Sequence, residues 1–297
     1  MRPALVAAAK NLNAVAAVNK AVMKSVFKHH QPQIMGILNV TPDSFSDGGQ
    51  FTQLDAALEQ ARHMIQEGAD ILDIGGESTR PGSEPVSAPN QIERVVPVIQ
   101  AIRQFDPQIR ISIDTTLSQV AEAALQAGAN LINDVSGGLG DEQMLPLAAR
   151  YQVPIILMHM QGTPKTMQDQ PFYTDVLAEV SEFLRNRAAA ALAAGVLPEH
   201  ICLDPGIGFG KRKQDNLTLL AELKQLVNLG YPLLLGTSRK RFMGSICQVE
   251  QASELVTATA VTTALGVMAG VDLFRVHDVK ANRQAADLAW AIKQAQV

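Results

Sequence analysis

Cysteine is scarce: only Cys202 and Cys247 occur in 297 residues, with no CxxC spacing and no histidine at a metal-ligand interval. That excludes a disulfide framework or a zinc site of the usual spacing, and the thiols read as small hydrophobes in a reducing compartment. A surplus of either charge is also lacking. With 25 basic and 29 acidic side chains the net charge is -4, so no global field draws the chain to nucleic acid or to an anionic membrane. Truly apolar runs of about 18 residues are missing, and neither a membrane span nor a cleavable secretory leader is expected.

Acidic residues are absent from positions 1–42, whereas Arg2, Lys10, Lys20, Lys24 and Lys28 fall in the first thirty. At about 100° per residue, Leu5, Leu12, Val15, Val22 and Val26 share one helical face and the lysines lie opposite. Residues 1–31 therefore read as a basic amphipathic helical extension. A targeting segment, a surface-docking helix and a plain extension to a cytoplasmic enzyme all fit this pattern. Arginine and serine are too sparse for a good transit peptide, and we expect a cytoplasmic protein with no stable membrane association.

What is present is a core. Hydrophobic residues make up 47% of the chain, and no Pro/Ser/Gly-rich linker interrupts residues 32–297, which read as one domain. Short aliphatic runs alternate with helical stretches. Strands are expected near Ile34 to Val40, Ile71 to Gly75, Ile109 to Asp114, Asn130 to Val135, Pro154 to His159, Ile201 to Asp204, Pro232 to Gly236 and Leu273 to Val276. Helices begin near Thr52, Ala88, Leu117, Asp141, Asp175, Gln214, Gln251 and Ala281. Such alternation implies parallel strands with right-handed crossovers, and eight repeats imply closure into a (β/α)8 TIM barrel. An open doubly wound sheet would carry a glycine-rich dinucleotide turn after its first strand, and none is there.

Polar residues stand where the strands end: Asn39, Glu77 with Thr79, Asp114, Asn133 with Asp134, His159, Asp204, Ser238 with Lys240, and Arg275 with His277. In a barrel these positions converge on the C-terminal face, where catalysis occurs. Asp134, Ser238 and Thr79 could equally cap the following helices. Asp114 follows Ile111-Ser112-Ile113 directly, and a carboxylate that deep needs a partner. The loops Thr41 to Gly49 and Gly76 to Ser83 combine glycine, proline and small hydroxylated residues, as lids do. The stretch Asp204 to Lys211 fails the phosphate-loop spacing because Lys211 is not followed by Ser or Thr. Its glycines suit close approach to a flat ligand, with Asp204 accepting from ring N–H groups and Phe209 as a wall. Gly236 to Arg241 and Arg275 to His277 bring cations to the loops after strands seven and eight, a recurrent phosphate site of this barrel.

Taken in order, the strings Met35 to Gly49, Gly75 to Gly82, Ile113 to Thr115, Asn133 to Gly137, Asp204 to Lys211, Ser238 to Lys240 and Arg275 to Asp278 resemble the dihydropteroate synthase family. The resemblance implies condensation of (7,8-dihydropterin-6-yl)methyl diphosphate with 4-aminobenzoate, Mg²⁺ as cofactor, and no strong base. By position, Asn39 resembles the residue that helps bind Mg²⁺ with diphosphate. Asp114, Asn133, Asp204 and Lys240 resemble pterin-pocket residues, with Met158 and Phe209 packing the ring. Thr79, Arg275 and His277 resemble diphosphate-side contacts, and Ser238, Phe45 and Pro81 the aminobenzoate subsite. Asp47 and Arg80 join Asp114, Asp204 and Lys240 as candidate catalytic residues. Two stretches depart from the pattern: the basic extension and the opening of the seventh helix, Ser253 to Thr257. A pterin-dependent corrinoid methyltransferase is the alternative, disfavoured by the lids around Asp47 and Arg80. The segment 251–270, uncharged from Leu255 to Val271, is expected to bury a second face in a homodimer.

Overall fold

The computed structural model describes residues 27, 31–41, 50–78, 82–163, 165–167 and 169–295. Among them are eight parallel strands and ten α-helices. The strands are β1 (Gln33–Asn39), β2 (Ile71–Gly75), β3 (Arg110–Asp114), β4 (Leu131–Asp134), β5 (Ile155–Met158), β6 (Ile201–Asp204), β7 (Leu234–Leu235) and β8 (Leu273–Val276). The helices are α1 (Gln50–Gln66), α2 (Ala88–Phe105), α3 (Ser118–Ala127), α4 (Met144–Tyr151), α5 (Val176–Ala193), α6 (Lys213–Ala221), α7 (Leu223–Val227), α8 (Arg241–Cys247), α9 (Val256–Ala269) and α10 (Val279–Gln294).

The sheet runs β6-β5-β4-β3-β2-β1-β8-β7, and a bridge between Leu203 and Leu233 closes it. This is the expected TIM barrel. The seventh strand is shorter than its expected span, Pro232 to Gly236. Pro232 has no N–H to contribute, and the Leu233 N–H donates to the Asp272 carboxylate at 3.0 Å instead of to a neighbouring strand. Helices α7 and α8 had no clear periodic signal, being five and seven residues long. Ile34, Leu38, Ile71, Leu72, Ile74, Ile111 and Ile113 are fully buried, and Phe27, from the stretch read as extension, joins the same core. The remainder of the expected basic helix lies outside the described residues.

Helices pack close where glycine permits. Gly266 of α9 faces Phe274 of β8, and a Cβ there would lie 2.6 Å from the ring. The strands stay in register toward the mouth: Asn39 is level with Gly75, Gly75 with Asp114, and Asp114 with Asn133. One row thus delivers an amide, a carboxylate and a second amide to the same end of the barrel.

Candidate active site

The deepest polar group of the mouth is Asp73, in the middle of β2 and completely buried. Its Oδ2 accepts from Arg275 Nε at 2.5 Å and from Asn133 Nδ2 at 3.1 Å. Arg275 also donates through Nη2 to Asp114 Oδ2 at 2.6 Å. Burial alone would lower the guanidinium pKa, but Asp73 and Asp114 raise it, so the cation is permanent. Burial pushes the Asp114 carboxyl above its usual range; Arg275 opposes that, while Asp73 adds to it. Asp114 Oδ1 is buried and makes no hydrogen bond among the described residues.

Across the mouth, Asp204 ends β6 opposite Met158. Its Oδ1 accepts from Gly206 N at 2.7 Å, and burial lifts its pKa to about 6 against the Gly206 hydrogen bond and the Lys240 charge. The Lys240 ammonium stands 3.8 Å from the centre of the Phe209 ring. Burial, then Arg275, lowers its pKa to about 8. Phe209 and Met158 belong to one small apolar cluster with Val135 and Met167. The two side chains read as packing a flat ligand thus lie in the same cluster. A cavity of about 410 Å³ opens beside Asp114, lined among others by Thr115, Val135, Met160 and Lys165 but not by Asn133, Asp204, Phe209 or Lys240; its volume is within the range of small-ligand sites.

On the β7 and β8 side, Ser238 Oγ and His277 Nδ1 share a hydrogen bond of 2.9 Å, and His277 N donates to Ser238 Oγ at 3.1 Å. Arg239, counted among the rim cations, is taken up by Asp278 at 2.7 and 3.1 Å. Glu77 and Asp134 are loop anchors. Glu77 accepts from Val86 N and Gln91 Nε2, and Asp134 accepts from Ser136 N, Ser136 Oγ and Gly138 N. Asp134 therefore braces the loop after β4 and does not cap the following helix, which starts only at Met144. Asn39 ends β1 half-buried. Phe45, Asp47, Thr79, Arg80 and Pro81 lie outside the described residues. Asp73 escaped sequence reasoning, although a single carboxylate inside Ile71-Leu72-Asp73-Ile74 was a signal that a buried cation must face it.

A closed β/α barrel with two carboxylates, an amide, an ammonium and an aromatic wall at its mouth defines an enzyme that holds a flat, hydrogen-bonding heterocycle. The comparisons specify which. A family model described as pterin binding enzyme matches residues 35–277. The dihydropteroate synthase of Synechocystis is 50% identical over 259 residues, which are 87% of this chain and 89% of that protein. The solved dihydropteroate synthase of Yersinia pestis in a sulfonamide drug complex has a TM-score of 0.84 at 42% identity, covering 89% of this chain and 95% of that one. The enzyme of Xanthomonas albilineans with 4-aminobenzoic acid gives 0.84 at 43% identity over 90% and 95%. The chain belongs to the pterin-binding enzyme family and, within it, to the dihydropteroate synthases, transferases of folate synthesis.

Proposed function

We propose that the ring of (7,8-dihydropterin-6-yl)methyl diphosphate sets its N–H edge on Asp114, Asn133 and Asp204, with Met158 and Phe209 at its faces. The single observation that supports this most is the unpartnered, buried Asp114 Oδ1 beside the cavity. A buried acceptor left open costs about 1–3 kcal/mol, which ring donors would repay. Lys240 and Arg275 offset the negative charge of the carboxylates, and His277 with Ser238 faces the diphosphate and aminobenzoate side. The C–O bond breaks first, its electron pair leaving on diphosphate, and the ring and nearby carboxylates stabilise the pterin-methyl cation. The aminobenzoate nitrogen then bonds to the methyl carbon. The resulting ammonium is acidic enough to release its proton to diphosphate or water, so 7,8-dihydropteroate forms without a strong base.

The donor set suits Mg²⁺ arriving with substrate. A Cβ at Gly75 would lie 3.6 Å from Asn39 Oδ1 and 3.7 Å from Asp114 Oδ2, so both oxygens face one gap. Among the described residues no group of three His, Cys, Asp or Glu side chains could hold a resident metal. Mg²⁺ commonly takes one or two protein oxygens and completes its shell with phosphates and water, an arrangement for which Asn39 suffices. Bound there, it would take up charge on the departing diphosphate.

The working assembly is read as a homodimer through α9, and the location as cytoplasmic. No helix among the described residues is long and apolar enough to cross a membrane. Incubation of the two substrates with and without Mg²⁺ tests the reading. Dihydropteroate should form fastest with the metal, and Asp114→Asn should weaken pterin binding by about 2 kcal/mol. Transfer of a methyl group to a corrinoid protein in place of this product would overturn it.

A further inference from the structure

Lys211 ends the glycine-rich loop after β6, is 3% exposed, and has no role in the reaction described above. Its ammonium lies 2.8 Å from His159 Nδ1, 2.9 Å from Gly206 O and 3.0 Å from Phe209 O, with His159 O further off at 3.4 Å. An ammonium has three N–H bonds, and three short contacts use them all. Lys211 therefore offers nothing to a phosphate, despite its place after Gly-Phe-Gly. Its acceptors instead tie two segments together. Gly206 and Phe209 belong to the β6 loop, and His159 to the end of β5.

The two segments are pressed close. Gly206 and Gly210 are left-handed, with φ of 65° and 58°, and a Cβ at either would collide with the carbonyl of His159 or Gln161. His159 N donates to Asp204 O at 2.9 Å, and Tyr173 Oη donates to Gly210 O at 2.6 Å. Asp204 and Phe209 are thus the two ends of a loop whose interior is gathered on one ammonium. Burying that charge is costly, and an apolar side chain of equal reach would avoid the desolvation. The directional contacts are what an apolar chain would not supply.

We propose that Lys211 is a positioning residue for pterin recognition: its buried ammonium, held by His159 and two loop carbonyls, fixes Asp204 and Phe209 in the relative pose that the ring requires. The inference rests on the assignment of those two residues to the pterin pocket. Burial works against the charge on both Lys211 and His159, and the short contacts to Lys211 are what oppose it. Burial and the Lys211 charge depress the His159 imidazole to about 3, leaving a neutral ring whose Nδ1 accepts. Burial draws Lys211 itself down to about 7, with Asp204 and Asp215 raising it and Lys240 lowering it.

Lys211→Met, Lys211→Gln and Asp204→Asn should be compared for binding of 6-hydroxymethylpterin by calorimetry and for steady-state kinetics, with circular dichroism to verify folding. Lys211→Met should bind the pterin about 30-fold more weakly and raise the KM of the pterin diphosphate similarly. Its kcat and its KM for 4-aminobenzoate at saturating pterin diphosphate should stay within about threefold. Lys211→Gln, which keeps two donors, should recover part of the affinity. Unchanged pterin affinity in Lys211→Met, or a loss confined to kcat, overturns the proposal. If Asp204→Asn also binds normally, the pocket assignment falls with it; if only Lys211→Met does, the positioning role falls alone. Should the lysine variants not fold, ¹⁵N-histidine NMR of the wild type decides. His159 should stay neutral with an unprotonated Nδ1 at pH 5, whereas protonation near the ordinary value of about 6.5 rules out the hub.

Discussion

Arg275 and Asp73 are 202 positions apart in the chain and in direct contact, Nε to Oδ2 at 2.5 Å, on the floor of the mouth. Asp73 does not reach the cavity; it holds the cation that also pairs with Asp114, and it accepts from the Asn133 amide. Asp73→Ala leaves a buried guanidinium with one carboxylate, which should cost about 3–5 kcal/mol in urea denaturation. Asp73→Asn, which keeps an acceptor for Arg275, should cost less. Wild-type stability in Asp73→Ala would mean that Arg275 finds another partner.

Much of this arrangement was legible in the sequence, because strand alternation fixes the row in which Asn39, Asp114 and Asn133 end. Met158 and Phe209, distant in sequence and both apolar, at the end of β5 and in the loop after β6, do come together in one cluster. Asp73 was not foreseen, since a strand interior is read for its apolar period and a partner 202 residues away leaves no local trace. The same blindness to pairing made Arg239 look like a free rim cation, although Asp278 neutralises it. The short β7 was masked because Leu233 to Leu235 reads as a strand whether or not its N–H groups find a ladder.

The Asp204 carboxyl is held at about 6 against an ordinary value of 3.8, chiefly by burial. A carboxyl whose folded pKa is raised takes up its proton more readily when folded, so this group is a penalty above pH 6 that fades as pH falls toward 4. Asp204→Asn keeps an acceptor for Gly206 N and removes the charge. At pH 7.5 it should gain about 1–2 kcal/mol, less than the full two-unit shift because Lys240 loses a favourable neighbour. The gain should vanish near pH 4 while pterin binding is lost throughout. Thermal melts across this range check it, and a variant less stable than wild type at pH 7.5 would contradict the assigned penalty.

Arg239 adopts φ of 59° and is gripped by Asp278 through two hydrogen bonds. A left-handed arginine costs roughly 1 kcal/mol or more and persists only where its surroundings impose it. Asp278→Ala should relax the β7 loop and displace Ser238 from His277. The expected result is a KM for 4-aminobenzoate raised about tenfold with pterin affinity unchanged, corresponding to about 1.4 kcal/mol. Equal losses for both substrates would show that the pair supports the whole mouth and not the aminobenzoate side alone.

On the outside of the barrel, α9 turns Val261, Leu265 and Met268 to solvent at 54%, 59% and 36% exposure, and neighbouring α10 adds Leu288 and Ile292. Positions i, i+4 and i+7 fall on one helical stripe, and an apolar stripe on an outer face marks an interaction surface. A second copy would bury the stripe self-complementarily about a twofold axis. Coverage by the apolar face of residues 1–30 is the competing account. Leu265→Glu places a charge at its centre and should convert a dimer to a monomer in sedimentation, with the barrel still folded. Deletion of residues 1–26, which spares the buried Phe27, should leave the dimer intact. A wild-type monomer that stays soluble after the deletion would remove both occupants at once, whereas a monomer that aggregates only when truncated would assign the stripe to the chain's own N-terminal segment.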